Sequence, residues 1–306
     1  MMALFKKRET LTQNIAYLGI MAAINVVSVV LINYVLPILF IPFVLIMPFT
    51  STVVTLFCKK RYFIFYAIAT TGICLLVTMN NFSDTLFYVV PSIISGFIFG
   101  LFLIYRLPTI LAILMAALAN LGITYLSIPL IELIYQQNII YVIATIFGLE
   151  NYIYLDFVTP TFILVISVIQ EALTFAIIQS EIPKLGVKEE EKHLPFLNDG
   201  IALLASIMAL VCYLTKYSIF STFTYFFLTF TLFFAIYDVL LTAFNKQFKV
   251  LIIYGVLTLL SIIAFAFLYQ YVEPPFNMLL SNILFTMIIF TSLVNNCLTK
   301  IHKSVE

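Results

Sequence analysis

SEIPKLGVKEEEKHLPF, residues 180–196, is the one sustained hydrophilic run inside a chain that otherwise reads as membrane. Pro183 and Pro195 bracket it, Gly186 interrupts any helix between them, and the charges from Lys188 through Glu189, Glu190 and Glu191 to Lys192 would not stay in hydrocarbon. It reads as a solvated connector over 182–196. On either side lie a longer N-terminal part, 1–181, and a shorter C-terminal part, 197–306.

The rest of the 306 residues is far too apolar for water. Hydrophobic residues make up 63% and charged residues 9%, whereas a soluble domain carries about 25% charged residues. Mean hydropathy is +1.15. A formal net charge of +1 excludes a global attraction for nucleic acid or anionic substrates, and no local basic patch stands outside the connector and short loops. Cys58, Cys74, Cys212 and Cys297 are scattered without CxxC or Cys/His spacing, and His193 and His302 have no companion at ligand distance, so neither a metal site nor a disulfide framework is expected. Lys6, Lys7 and Arg8 precede an apolar run as in a signal peptide, but the run far exceeds the roughly 7–15 residues of an h-region. It reads as an uncleaved first span.

Working outward from the connector, residues 15–57 are apolar over about twice the ~20 residues that one transmembrane helix needs. Two spans fit there, turning near Asn33, Tyr34, Pro37 and Pro42. A third covers 62–78, a polar loop holds Asn80, Asn81 and Asp84, a fourth covers 85–105, and a fifth begins after Pro108 and fades near Ser127 and Pro129. From there to Asp156, Glu132, Gln137, Gly148, Glu150 and Asn151 interrupt an apolar stretch in the manner of an interfacial or re-entrant excursion. A sixth span, 157–179, closes the first part. Beyond the connector the pattern predicts four more, at 201–215, 220–244, 250–271 and 276–298. The expected fold is thus an all-α polytopic membrane protein with about ten transmembrane helices, six plus four, in a bacterial plasma membrane.

Loop charges give an independent orientation. With both termini cytoplasmic, Lys6, Lys7, Arg8, Lys59, Lys60, Arg61, Arg106, Lys184, Lys188, Lys192, Lys246, Lys249, Lys300 and Lys303 fall inside, and only Lys216 falls outside. That asymmetry follows the positive-inside rule.

Small residues and polar stripes mark the helix faces. Ser92, Gly96 and Gly100 in span four, and Gly19 and Ala23 in span one, recur every four residues, which lets backbones approach closely within the chain or against a partner. Span six places Ser167, Gln170, Glu171 and Thr174 on one face. Thr231, Asp238, Thr242 and Asn245 repeat the pattern in span eight, and Ser292, Asn295, Asn296 and Thr299 in the last. An acid at the centre of a span costs about 2.5–3.5 kcal/mol on insertion scales, so Glu171 and Asp238 must face the bundle interior or an interface. Two readings stand for them: a proton or cation relay, and interhelical hydrogen bonding, with Asp238 also able to reach the headgroups. There is no HExxH, no GxSG, no phosphate-binding glycine loop and no histidine within a span, so neither an enzyme nor a cofactor is expected.

The six-span first part, with its small-residue first helix and short proline-bearing second helix, resembles the substrate-binding (S) component of energy-coupling-factor vitamin transporters. Pro183, Lys184, Leu185 and Gly186, followed by Leu194, Pro195, Phe196 and further spans, are similar to the YybS-like family of bacterial membrane proteins, whose first half is itself similar to S components. Asn295 and Asn296 stand where that family is expected to carry Gly and an Asp-Arg pair. The resemblance implies a small-molecule solute entering from outside, and an energy-coupling or other membrane-protein partner within the lipid bilayer. It places the solute at the outer loops, which carry Asn80, Asn81, Asp84, Glu132, Gln137, Glu150, Asn151 and Asp156. These acids and amides, with almost no base among them, favour a neutral or cationic solute. The rival readings are a secondary transporter coupled through Glu171 and Asp238, and a non-transporting regulator of another membrane protein.

Overall fold

The computed structural model describes residues 7–34, 40–146, 155–186 and 195–214, with parts of 227–297. Among these residues every regular element is helical. In order they are α1 (Leu11–Tyr34), α2 (Phe40–Phe57), α3 (Phe63–Val77), the single turn α4 (Phe82–Asp84), α5 (Val90–Tyr105), α6 (Thr109–Tyr135), α7 (Ile139–Ile146), α8 (Leu155–Glu181) and α9 (Pro195–Leu214). Five stretches among the described residues are long and apolar enough to cross a membrane: Leu11–Tyr34, Lys60–Val77, Met79–Tyr105, Thr109–Tyr135 and Thr159–Leu185. Phe43–Phe57 and Leu197–Cys212 are shorter apolar helices.

Three sequence expectations are corrected. The polar loop at Asn80, Asn81 and Asp84 is helical: a 3-10 turn at Met79–Asn81, α4 and a π-helical turn at Thr85–Val89 lead directly into α5. The side chains of Thr78 and Thr85 hydrogen-bond each other at 2.7 Å inside this re-entry, so a loop of polar composition is tied back as helix. The fifth span does not fade at Pro129, because α6 runs through that proline to Tyr135. It ends where Gln136 takes a left-handed conformation, φ 52°, with its N–H donating to the Glu132 carbonyl. Lastly, the helix expected from residue 201 starts earlier, at Pro195 and Phe196. They open α9, since proline is preorganised for a first helical turn where its missing N–H is no loss. Residues 187–194 of the connector lie outside the described residues; before them Ile182–Leu185 is a 3-10 turn closed by Gly186 at φ 81°.

The chain divides into two compact units, Met1–Lys192 and His193–Glu306. In the first, α2 packs most extensively on α5, α5 on α6 and α6 on α8, while α1 lies against α2 and α3. Helical periodicity explains the inward face of α1: Asn14, Tyr17, Leu18, Met21, Ala22, Asn25, Val29 and Ile32 are buried at three- and four-residue steps. Its outward face carries exposed Ile15, Ile20, Ile24, Val27 and Leu31. An apolar surface of that extent suits lipid rather than water.

This unit has two chemically distinct ends. At one, the Arg8 N–H donates to the Phe57 carbonyl at 2.8 Å, and the Asn14 Oδ1 accepts from the Lys59 N–H at 2.9 Å. The Lys60 ammonium lies on Tyr105, so Arg8, Lys59, Lys60, Arg61 and Arg106 gather there. At the other, the Tyr34 hydroxyl donates to the Val77 carbonyl and the Phe82 N–H donates to the Tyr135 hydroxyl, beside Asn80, Asn81 and Asp84. Glu132 closes that end by accepting from the Ile139 N–H at 3.0 Å, and Asn138 accepts from the Tyr141 N–H, so the two side chains cap the start of α7.

In the second unit, α9 supplies Asp199 and Ser206, and residues 229–237 and 286–294 are helical. The hydroxyls of Ser206 and Thr286 are hydrogen-bonded, and buried Thr231 donates to the Phe227 carbonyl.

Candidate functional site

Polar side chains inside the first unit form two networks and border one cavity. The first network joins α1, α2 and α3: Asn25 Nδ2 donates to the Tyr66 hydroxyl at 2.7 Å, and Thr50 Oγ1 donates to Asn25 Oδ1 at 2.7 Å. Ser51 Oγ shares a hydrogen bond with the same phenol at 3.2 Å. Asn25, Ser51 and Tyr66 are all buried.

The second network is built around Glu171, which has no exposed surface. Its Oε1 accepts from Ser95 Oγ of α5 at 2.7 Å and from Asn120 Nδ2 of α6 at 3.1 Å. Thr124 donates to Asn120 Oδ1 at 3.3 Å, which turns the amide nitrogen toward the carboxyl. Glu171 Oε2 has no partner among the described residues, and the same holds for the buried hydroxyls of Ser92 and Thr174. Ser95 meets Glu171, and four residues on Phe99 meets Phe175 at 5.1 Å between ring centres, so α5 and α8 run in the same direction.

Between α2 and α5 the backbones nearly touch. A Cβ on Gly96 would lie 2.2 Å from the Pro48 carbonyl oxygen and 2.5 Å from Ser51 Cβ, and one on Gly100 would lie 2.5 Å from Thr55 Cβ. Thr52 Oγ1 uses the proximity to donate to the Gly96 carbonyl at 3.1 Å. Ser51 and Thr52 thus connect the Tyr66 network to the helix that carries Ser95.

The cavity lies at the end away from the basic residues. Its volume is about 20 Å³, room for one or two waters. Val29, Ile32 and Asn33 of α1, Phe43, Val44 and Met47 of α2, and Asp84, Tyr88 and Val89 line it. Asp84 is half-buried there, whereas Asn80 and Asn81 are exposed beside it.

Other residues singled out in the sequence are dispersed. Gln170 is half-buried next to Glu171 and Gln137 is exposed. Gly19 and Ala23 are exposed on the outward face of α1, and a Cβ on Gly19 would meet nothing within 4 Å. In the second unit Asn296 Nδ2 donates to Asp199 Oδ2 at 2.9 Å, and Asp199 is buried. Asp156 falls in the first turn of α8, its side chain outside what is described. Glu150, Asn151, Asp238 and Asn295 also lie outside the described residues. Among the described residues no cluster of His, Cys, Asp and Glu could hold a metal ion. Sequence reasoning missed Asn25, Tyr66, Ser95, Asn120 and Asp199. For the two asparagines a signal existed, a single amide deep inside an apolar helix, where a partner is required.

Helices of this length and composition, with apolar residues facing outward and polar ones hydrogen-bonded inside, define a multi-pass, membrane-embedded helical protein. No family model matches the chain, and neither a curated protein nor a solved structure matches it.

Proposed function

We propose that this protein binds a small neutral or cationic solute at the Asp84 end of its first unit and assists its passage across a bacterial plasma membrane, in the manner of a transporter substrate-binding component. The observation that carries the reading is the cavity itself. A carboxylate, an amide from Asn33 and a phenol from Tyr88 line one small apolar-walled space, and no Lys or Arg is among its lining residues. A carboxylate there attracts positive charge, and low-dielectric walls strengthen the attraction relative to water. An anion would meet repulsion instead. At about 20 Å³ the space suits a small amine or an inorganic cation, and a larger solute requires the α1, α2 and α4 ends to part.

A thermal-shift screen of the detergent-solubilised chain against cationic, neutral and anionic metabolites tests this reading. Cations are expected to raise the unfolding temperature of the native protein, and Asp84→Asn is expected to remove that rise while leaving the ligand-free stability close to native. Stabilisation by anions alone, or a cation effect that Asp84→Asn retains in full, counts against the site.

The orientation rests on the gathering of Arg8, Lys59, Lys60, Arg61 and Arg106 at one end of the unit, which the positive-inside rule assigns to the cytoplasm. With ten spans and cytoplasmic termini, single cysteines placed at Glu190 and Lys303 are expected to resist an impermeant thiol reagent in whole cells, and one at Asn81 to react. Reaction at Glu190 from outside would overturn the six-plus-four arrangement.

A further inference from the structure

We propose that Glu171 is a proton-binding site in the middle of the membrane: Oε2 takes up and releases one proton while Ser95 and Asn120 hold Oε1 in place. The inference does not rest on the Asp84 cavity. Glu171 stands twelve residues after Thr159 and fourteen before Leu185, the ends of an apolar stretch able to cross the bilayer. At 1.5 Å per residue that is roughly 18 and 21 Å from either end. The carboxyl is therefore as far from water as the helix allows.

The hydrogen bonds say what the site accepts. Ser95 and Asn120 both aim hydrogens at Oε1, and the Asn120 oxygen is engaged by Thr124, so both neighbours present donors to the carboxyl. A metal ion needs several oxygen lone pairs converging on one point. Of the two carboxyl oxygens only Oε2 is bare among the described residues, and no second acid stands beside it. A single bare oxygen suits a proton, which needs one atom and brings no shell. The step is simple in balance: hydronium gives its proton to Oε2, water is left behind, and the carboxylate becomes the neutral acid. Release reverses it.

Two further hydroxyls extend the site along the membrane normal. Ser92 lies one turn before Ser95 on α5, and Thr174 one turn after Glu171 on α8; both are buried and neither oxygen has a partner among the described residues. Helical threonines usually donate back to the carbonyl four residues earlier, as Thr52, Thr55 and Thr78 do here to Pro48, Ser51 and Cys74. Thr174 does not. Because α5 and α8 run in parallel, Ser92 and Thr174 flank the carboxyl on opposite sides, each with spare hydrogen-bonding capacity for a proton on its way in or out.

Among the described residues of the elements packed against α8, no other titratable group competes at this depth. On the elements packed against α8, α2 has none, Tyr105 lies at the end of α5, and Glu132 and Tyr135 lie at the end of α6. Tyr125, five residues beyond Asn120, is exposed. Tyr141 is on α7, Lys184 lies in the 3-10 turn after α8, and Asp156 and Glu181 are at the two ends of α8 itself.

The test uses the full chain in lipid vesicles with two readouts. Dicyclohexylcarbodiimide, a membrane-permeant reagent for protonated carboxyls, is applied from mildly acidic to alkaline pH and the labelled residue is located by mass spectrometry. Infrared spectra over the same range follow the protonated carboxyl band. An adduct on Glu171 is expected that declines by about tenfold per pH unit above the site's midpoint. The band should vanish in parallel and reversibly, and sodium or lithium ions at constant pH should change neither. Glu171→Gln should lack both signals; if that variant does not fold, the native titration stands by itself. Labelling and band that persist at every pH would make Glu171 a fixed hydrogen-bonding group, protection by sodium would make it a metal-ion site, and the lack of both signals would mean it never takes a proton. Any of these overturns the proposal.

Discussion

Replacing Gly96 by leucine is expected to abolish the folded arrangement of the first unit, and replacing it by alanine is expected to destabilise at or beyond the upper end of the roughly 1–3 kcal/mol that overpacking costs. The reason is what the added atom meets. A Cβ at this position would lie 2.2 Å from the Pro48 carbonyl oxygen and 3.0 Å from its carbonyl carbon, and backbone cannot step aside as a flexible side chain does. Moving α5 away would also break the bond from Thr52 to the Gly96 carbonyl and carry Ser95 off Glu171. Gly100→Ala is expected to be milder, since its nearest neighbours are side-chain atoms of Thr55. Gly19→Leu is the control: that glycine is exposed on the lipid-facing side of α1 with nothing within 4 Å. It should unfold like the native chain, and a change in elution volume or co-purified protein for Gly19→Leu alone would show that a partner covers that face. Denaturation of the four purified variants in mixed micelles measures the ranking. A Gly96→Leu protein with native stability would mean that α2 and α5 do not approach as closely as described.

The sequence made some of these features plain and hid others for definite physical reasons. The apolar stretches around Gly19, Cys74, Gly96 and Asn120 were readable because the hydrocarbon core dictates a minimum helix length. Glu171 stood out as the one acid in the middle of the sixth span. Its partners did not, because Ser95 and Asn120 come from helices 76 and 51 residues away, and spacing along one helix carries no information about the helix across from it. Polar composition suggests a loop where the structure has helix. Asn80, Asn81 and Asp84 form helical turns because the Thr78 and Thr85 hydroxyls close the re-entry on themselves. Pro129 suggests a helix end, yet membrane helices tolerate proline where neighbouring groups satisfy the freed carbonyl. The spacing of Ser92, Gly96 and Gly100 gave a close-contact face but not its occupant, which is the Pro48 to Thr55 side of α2.

Tyr66→Phe is expected to cost more than the loss of one hydroxyl suggests. The phenol accepts from Asn25 Nδ2 and shares hydrogen bonds with Ser51 and Thr50, all within a region where these groups have little or no access to solvent. Removing the oxygen leaves the Asn25 amide hydrogens without that acceptor, and a buried unsatisfied donor costs about 1–3 kcal/mol. Asn25→Leu alone is expected to be comparable, because it removes the amide donor from the Tyr66 oxygen and leaves the Thr50 hydroxyl only the Met47 carbonyl of its two acceptors. The double variant Asn25→Leu with Tyr66→Phe is expected to lose less than the two single losses together, since neither retained group then seeks a partner across α1 and α3. A double-mutant cycle in denaturant measures this coupling. A sum equal to the double variant's loss would show that Asn25 and Tyr66 act independently, and the network joining the first three helices would then contribute packing alone.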